Sequence, residues 1–293
     1  ADLKIGVDLL YGTGRGYLDQ LLKETGCEVL ALHGKLDSFF GGLPPEPAEE
    51  QLAELTALVK KRRLHLGLAV DGDADRFGIV DADGTYINAN QVVSLLTEHM
   101  MLTRSRQKRV ARTLATTHMV DALAKRRGLK TVETPVGFKF IGQELAKGGC
   151  LIGGEESGGL SIVGHVPEKD GILACLLIAE MVAIRKKPLT NILKELYSQV
   201  GPFYTARIDF HLNKEEKQDV AVRLKSFSRK KTVLGERVAR YVGLDGHKFI
   251  FTDGSWLMFR VSGTEPVVRC YLEAHARKKL RDLQALGHRM ISK

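Results

Sequence analysis

The chain has 293 residues, 44% of them hydrophobic and 27% charged, with a net charge of +9. This composition excludes a disordered or collagen-like chain, and the length exceeds one ordinary core, so two or three domains are expected. The positive charge suits an anionic ligand. Nucleic acid is disfavoured: the basic runs at 104–112, 125–127, 185–187, 229–231 and 277–281 have no interleaved aromatics, and several fall where helix ends are expected. The longest apolar stretch, 172–184, contains Glu180 and falls short of the ~20 residues that span a bilayer, so no membrane partner is expected. The start, ADLKIGVDLL, lacks both an initiator Met and the basic segment of a signal peptide, which suggests a beginning inside a longer protein. Cys27, Cys150, Cys175 and Cys270 are scattered without a CxxC pair, as for free thiols in a reducing, cytoplasmic compartment.

In chain order, a short apolar strand is expected at 4–10, followed by the GTGRG turn at 12–16. A helix at 17–25 stops at Gly26, and a second strand covers 27–32. Another helix starts near Pro47, with Glu49 and Glu50 in its first turn, an apolar stripe of Leu52, Leu55, Leu58 and Val59, and basic residues 60–63 at its end. The apolar run 64–70 halts at Asp71. Strands at 110–114, 129–133 and 150–152 then alternate with helices at 119–127, 138–147 and 172–184, and one more helix lies between Pro188 and Pro202. Such alternation implies mainly parallel sheets.

From Phe203 the pattern changes. Ile208, Phe210 and Leu212 alternate with polar residues, and Asn213 with Glu216 forms a capping box. Strands at 249–252, 257–261 and 267–273 precede a helix from about residue 278. The expected fold is α/β: two consecutive mixed or parallel-sheet α/β domains, 1–103 and 104–201, followed by a smaller α+β domain, 202–293, that moves relative to the rest.

Three loops carry the chemistry. Asp71-Gly-Asp73-Ala-Asp75-Arg76 follows a buried strand, and carboxylates at i, i+2 and i+4 on a tight loop can converge on a hard cation, Mg²⁺. An EF-hand is excluded, since its sixth and twelfth positions are here Arg76 and Ala82 rather than Gly and Glu. A phosphatase of the aspartyl-phosphate type remains the mechanistic rival. In Gly153-Gly-Glu155-Glu156-Ser157-Gly-Gly159, two acids and a hydroxyl among glycines suit sugar hydroxyls. Arg260-Val-Ser262-Gly263-Thr264-Glu265-Pro266, with Arg269 nearby, suits a phosphate. The GTGRG turn is not a dinucleotide fingerprint: Tyr17 stands where the third glycine belongs, and no acid ends the next strand.

In this order and spacing the three loops resemble those of the α-D-phosphohexomutases, which include phosphoglucomutases, phosphomannomutases and phosphoglucosamine mutases. The resemblance covers essentially the whole chain and corresponds to domains 2, 3 and 4 of four. It implies Mg²⁺ held by Asp71, Asp73 and Asp75, with Arg76 at the transferring phosphate. It implies sugar contacts from Glu155 and Ser157, and a grip on the non-reacting phosphate by Arg260, Ser262, Gly263, Thr264 and Arg269. Thr134-Pro-Val-Gly-Phe-Lys139 and His165-Val-Pro-Glu-Lys169-Asp-Gly resemble further cleft segments, the second supplying a lysine that reaches the substrate. The activity implied is interconversion of hexose 1- and 6-phosphates through a phosphoserine. The family's Thr-Ala-Ser-His-Asn-Pro-like loop has no counterpart here, so this chain alone is expected to be inactive. Gly159 stands where mannose-competent and glucosamine-type members often have His, which favours a glucose preference. A phosphomannomutase or dual-specificity mutase, or a non-catalytic sugar-phosphate-binding remnant, is the alternative.

Overall fold

A computed structural model describes residues 2–104, 107–263 and 265–292. The first sheet begins with β1 (Lys4–Asp8), joined through α1 (Leu18–Glu24) to β2 (Glu28–Leu32). α2 (Ala53–Arg62) leads to β3 (Leu66–Val70), and β4 (Phe77–Asp81) and β5 (Tyr86–Ile87) return antiparallel. The strand order is β2-β1-β3-β4-β5, with β2, β1 and β3 parallel. Leu-Gly-Leu-Ala-Val of β3 is buried throughout, as expected for a central strand covered on both faces.

α2 starts at Ala53, six residues after the expected Pro47. Residues 49–52 form a tight turn instead, with Leu52 N–H donating to Glu49 O, and Leu52 still joins the buried stripe with Leu55 and Val59. Pro47 serves the sheet: its carbonyl accepts from Tyr86 Oη at 3.2 Å.

α3 (Ala89–Thr103) opens the second half of this unit. Asn88 and Gln91 close a capping box at its start. β6 (Arg109–Thr113), α4 (Met119–Arg126), β7 (Lys130–Thr134), α5 (Phe138–Ala146), β8 (Cys150–Gly154) and β9 (Leu160–Ile162) follow. The second sheet runs β7-β6-β8-β9, parallel except for the β8–β9 return. Phe138, Ile141 and Leu145 of α5 pack on Ala111 and Cys150. α6 (Gly171–Arg185) then crosses back to pack on β3 and β4, and α7 (Leu189–Val200) is capped by buried Asp81, which accepts from Leu189 N and Thr190 N at 2.9 and 2.8 Å. Residues 1–200 form one compact unit and 201–293 another.

The second unit is an antiparallel sheet with two helices. Its strands are β10 (Tyr204–His211), β11 (Thr232–Val233), β12 (Glu236–Val242), β13 (His247–Phe251), β14 (Trp256–Val261) and β15 (Val267–Ala274), in the order β10-β15-β14-β13-β12-β11. α8 (Lys214–Phe227) starts at the expected Asn213–Glu216 capping box, and α9 (Arg277–Ile291) closes the chain. Leu224, Phe249, Phe259, Leu283 and Met290 lie in the core between helices and sheet.

Two features of charge differ from a plain surface reading. Arg112, within the first basic run, is buried at 3% exposure and clamped by Asp121 at 2.5 and 3.0 Å and by Glu133 at 2.8 Å. Arg104 and Arg109 of the same run pair with Glu180 and Glu144. Among the described residues, no helix is long and apolar enough to cross a membrane.

Candidate active site

All three chemistry-bearing loops are the turns of antiparallel hairpins. Residues 71–76 join β3 to β4, 155–159 join β8 to β9, and 262–266 join β14 to β15. In the first two, a parallel strand ends at the carboxyl edge of its sheet, where ligands of α/β folds collect, and the chain turns straight back.

The acid loop is held from within and behind. Asp71, 5% exposed, accepts from Arg76 N through Oδ1 at 2.9 Å, and Ala74 sits in the left-handed region at φ 62°. The GTGRG turn backs this loop: Thr13 N donates to Gly72 O at 2.9 Å, and a Cβ at Gly12 would stand 2.6 Å from that same oxygen. Only glycine permits so close an approach, which accounts for the motif without a nucleotide.

The carboxylates of Asp71, Asp73 and Asp75 each offer an oxygen within 4.8 Å of the others. They open onto a cleft of about 390 Å³ whose lining includes Glu46, Arg76 and Lys169. Asp75 Oδ1 is buried with no hydrogen-bond partner, while Oδ2 is ion-paired with Lys169 Nζ. Burial, reinforced by Asp75 and Asp73, pushes the Asp71 carboxyl up to about 7. Arg76 Nε approaches Asp75 Oδ1 at 3.9 Å without a hydrogen bond, and three hard oxygen donors fit a divalent ion such as Mg²⁺. Arg76 reaches Glu46 at 3.3 Å, a partner the sequence did not suggest. Its signal was the proline-rich stretch 44–47, which brings that glutamate to the cleft edge.

The 155–159 loop borders the acid loop, since a Cβ at Gly158 would stand 3.6 Å from Arg76 Cβ. Glu155, 6% exposed, accepts from Gly137 N through Oε1 at 2.9 Å, tying the turn before α5 to this loop. Burial and then Glu156 push its carboxyl up to about 7. Glu156 turns back to accept from Thr113 Oγ1 at 3.1 Å, so the two acids do different things. Ser157 is exposed. Lys139 is exposed in the first turn of α5, with Nζ 4.9 Å from the Phe140 ring. His165 Nε2 bonds Asp170, the cap of α6, at 2.8 Å. Neither Lys139 nor His165 lines the acid cleft.

In the C-terminal unit, Arg260 and Arg269 face each other directly across β14 and β15. Arg260 Nε is 3.2 Å from Asp245, and Arg269 pairs with Glu265 and approaches Asp209 at 3.9 Å. Ser262, 6% exposed, accepts from Glu265 N at 3.1 Å, and Gly263 has open space where a Cβ would stand. Thr264 lies outside the described residues. Asp245, a counterion that no local motif announces, was not legible in the sequence.

Models of phosphoglucomutase/phosphomannomutase match this chain as α/β/α domain II over residues 1–84, α/β/α domain III over 88–200 and the C-terminal domain over 214–286. A phosphoglucomutase/phosphomannomutase of Thermococcus kodakarensis is 32% identical over 97% of the chain, which spans 60% of that relative's length. A solved structure from Thermus thermophilus covers 99% of the chain with a TM-score of 0.83 at 30% identity, the chain spanning 61% of it. A phosphoglucomutase/phosphomannomutase family protein from Burkholderia thailandensis gives the same TM-score and 99% coverage at 22% identity, with 60% of its own length covered, and shows the fold. The chain belongs to the phosphoglucomutase/phosphomannomutase family, of which it carries domains II, III and IV.

Proposed function

We propose that these residues are the metal-, sugar- and phosphate-binding parts of a cytoplasmic hexose-phosphate mutase that interconverts 1- and 6-phosphates through a phosphoserine and a bisphosphate. Three domains, 1–103, 104–201 and 202–293, would carry the three parts in turn. The observation that supports this most is the acid cleft, where Asp71, Asp73 and Asp75 converge beside Arg76 and Lys169. Asp71, Asp73 and Asp75 would hold Mg²⁺, which when bound supplies positive charge to a transferring phosphoryl group. Arg76 would neutralise the same oxygens, and Lys169 would reach the sugar phosphate. Glu155 and Ser157 orient hydroxyls, with Lys139 and His165 as further contacts. Arg260, Ser262, Gly263, Thr264 and Arg269 hold the phosphate that is not reacting, and a fixed grip lets either end of the sugar face the chemistry.

The 293 residues alone would not turn over. Ser157 and Ser262 are hydrogen-bonding groups on hairpin turns, and neither has an ionisable base as a hydrogen-bond partner among the described residues. We infer a preference for glucose over mannose from the Glu-Glu-Ser turn with glycine at 159. The test is conversion of glucose 1-phosphate to glucose 6-phosphate with a bisphosphate activator. The chain itself is expected to show none, and the chain preceded by a serine-bearing segment to show Mg²⁺-dependent turnover, faster than on mannose 1-phosphate. Turnover by the isolated chain, abolished in Ser157→Ala, overturns these roles.

A further inference from the structure

We propose that Lys169 is an internal counterion of the acid loop, displaced by the divalent ion, so that metal loading releases this lysine to the sugar phosphate. The inference rests on the reading of residues 71–75 as the metal loop. Lys169 Nζ is ion-paired with Asp75 Oδ2, while Asp75 Oδ1 is buried and without a hydrogen-bond partner. One ammonium, with Arg76 Nε at 3.9 Å on the other oxygen, thus reaches one of three carboxylates that lie within 4.8 Å of one another. A divalent ion bound to all three offers far more charge to the same oxygens. Even where the dication takes Oδ1, it stands a few ångströms from an ammonium on Oδ2 of the same carboxylate, and the repulsion between the two cations favours release of the lysine.

The geometry lets the head move while the backbone stays. Gly171 N donates to Ala74 O at 3.0 Å, and a Cβ at Gly171 would lie 2.2 Å from Arg76 O, so the chain two residues beyond Lys169 is fixed against the acid loop. Asp170 N donates to Leu160 O at 3.0 Å, fixing the neighbouring residue to β9. The Lys169 stem runs along the second loop, its Cβ 3.4 Å from where a Gly159 Cβ would stand. The lysine side chain is a flexible four-carbon stem, 26% exposed here, and its head can swing from Asp75 toward the Glu155 side without moving a backbone atom. Metal and sugar phosphate are then coupled through one side chain. By linkage, each raises the other's affinity by the same factor.

Two measurements on the full chain test this. In calorimetry with Mg²⁺ alone, Lys169→Met should bind about three- to tenfold more tightly than the parent, because no ammonium has to be displaced. Equal or weaker binding overturns the exchange. In the parent, acylation of Lys169 by an amine reagent, read by mass spectrometry against exposed Lys139, should rise when Mg²⁺ is added, and an unchanged ratio also overturns it. Asp73→Asn separates the two readings. It should lose both Mg²⁺ binding and the labelling response. If it binds Mg²⁺ as the parent does, the metal-loop reading fails and takes the exchange with it. If it loses binding while Lys169→Met matches the parent, only the exchange fails.

Discussion

The two units place their chemistry on hairpin turns but carry opposite electrostatic problems. Residues 1–200 hold as many acidic as basic side chains, so the whole net charge of +9 lies in 201–293. In the first unit acids crowd a cleft, and Lys169 and Arg76 answer them. In the second, arginines stand side by side and aspartates and glutamates answer them. Asp209 there titrates below the usual range: burial works against this, and the hydrogen bond and charge of Arg207 outweigh it. Asp71 and Glu155, by contrast, are pushed up to about 7. Each unit thus pairs its loop with opposite charge from its own side chains, cations at the acid loop and acids at the arginine pair.

The largest expected break in this contrast is Asp73→Asn. It removes one of three charged donors and should weaken Mg²⁺ binding by about a hundredfold in calorimetry, while phosphate binding stays as in the parent. Next is the buried carboxyl of Glu155. Its folded value lies above the usual one, so the native state holds the extra proton between about pH 4.5 and 7. Stability should therefore fall as pH rises through that window and level off above 7. Glu155→Gln keeps an acceptor for Gly137 N and should remove about 3 kcal/mol of that decline, read from denaturant midpoints across pH without metal. An unchanged slope would deny the burial penalty.

Arg260→Gln sharpens the comparison from the other side. Losing a charge-assisted contact should weaken hexose-phosphate binding about tenfold and leave Mg²⁺ affinity alone. The smallest effect is Asn213→Ala, which removes the cap of α8. It should cost about 1 kcal/mol of stability in urea and move neither ligand's affinity.

What the sequence disclosed was local. The acid loop is six contiguous residues after a run of buried ones, and the Asn213–Glu216 box spans four, so both could be read directly. β4, β5, β9, β11 and β12 have no counterpart among the expected strands, so the hairpin character of the first two loops shows only in the structure. α3 was missed although Asn88 and Gln91 announce it. Asn90, Gln91, Ser94, Thr97 and Glu98 recur at helical spacing, and the structure buries Ser94, Thr97 and Glu98 with the rest of 92–101. The GTGRG turn and Gly72 are some sixty residues apart, and only the fold shows why those glycines are there. The same holds for Arg112, whose partners Asp121 and Glu133 turn a basic run into an interior salt bridge.

Gly171 has a consequence for how such a protein decays or is misjudged. It carries no chemical group, yet it sets the distance between the acid loop and the start of α6, with Arg76 O where a methyl would go. An alanine there changes no acid, lysine or arginine, yet its Cβ would stand 2.2 Å from Arg76 O, so the acid loop or the start of α6 has to shift. A single methyl group at a residue without chemistry of its own can therefore disturb the acid loop while every motif residue stays unchanged.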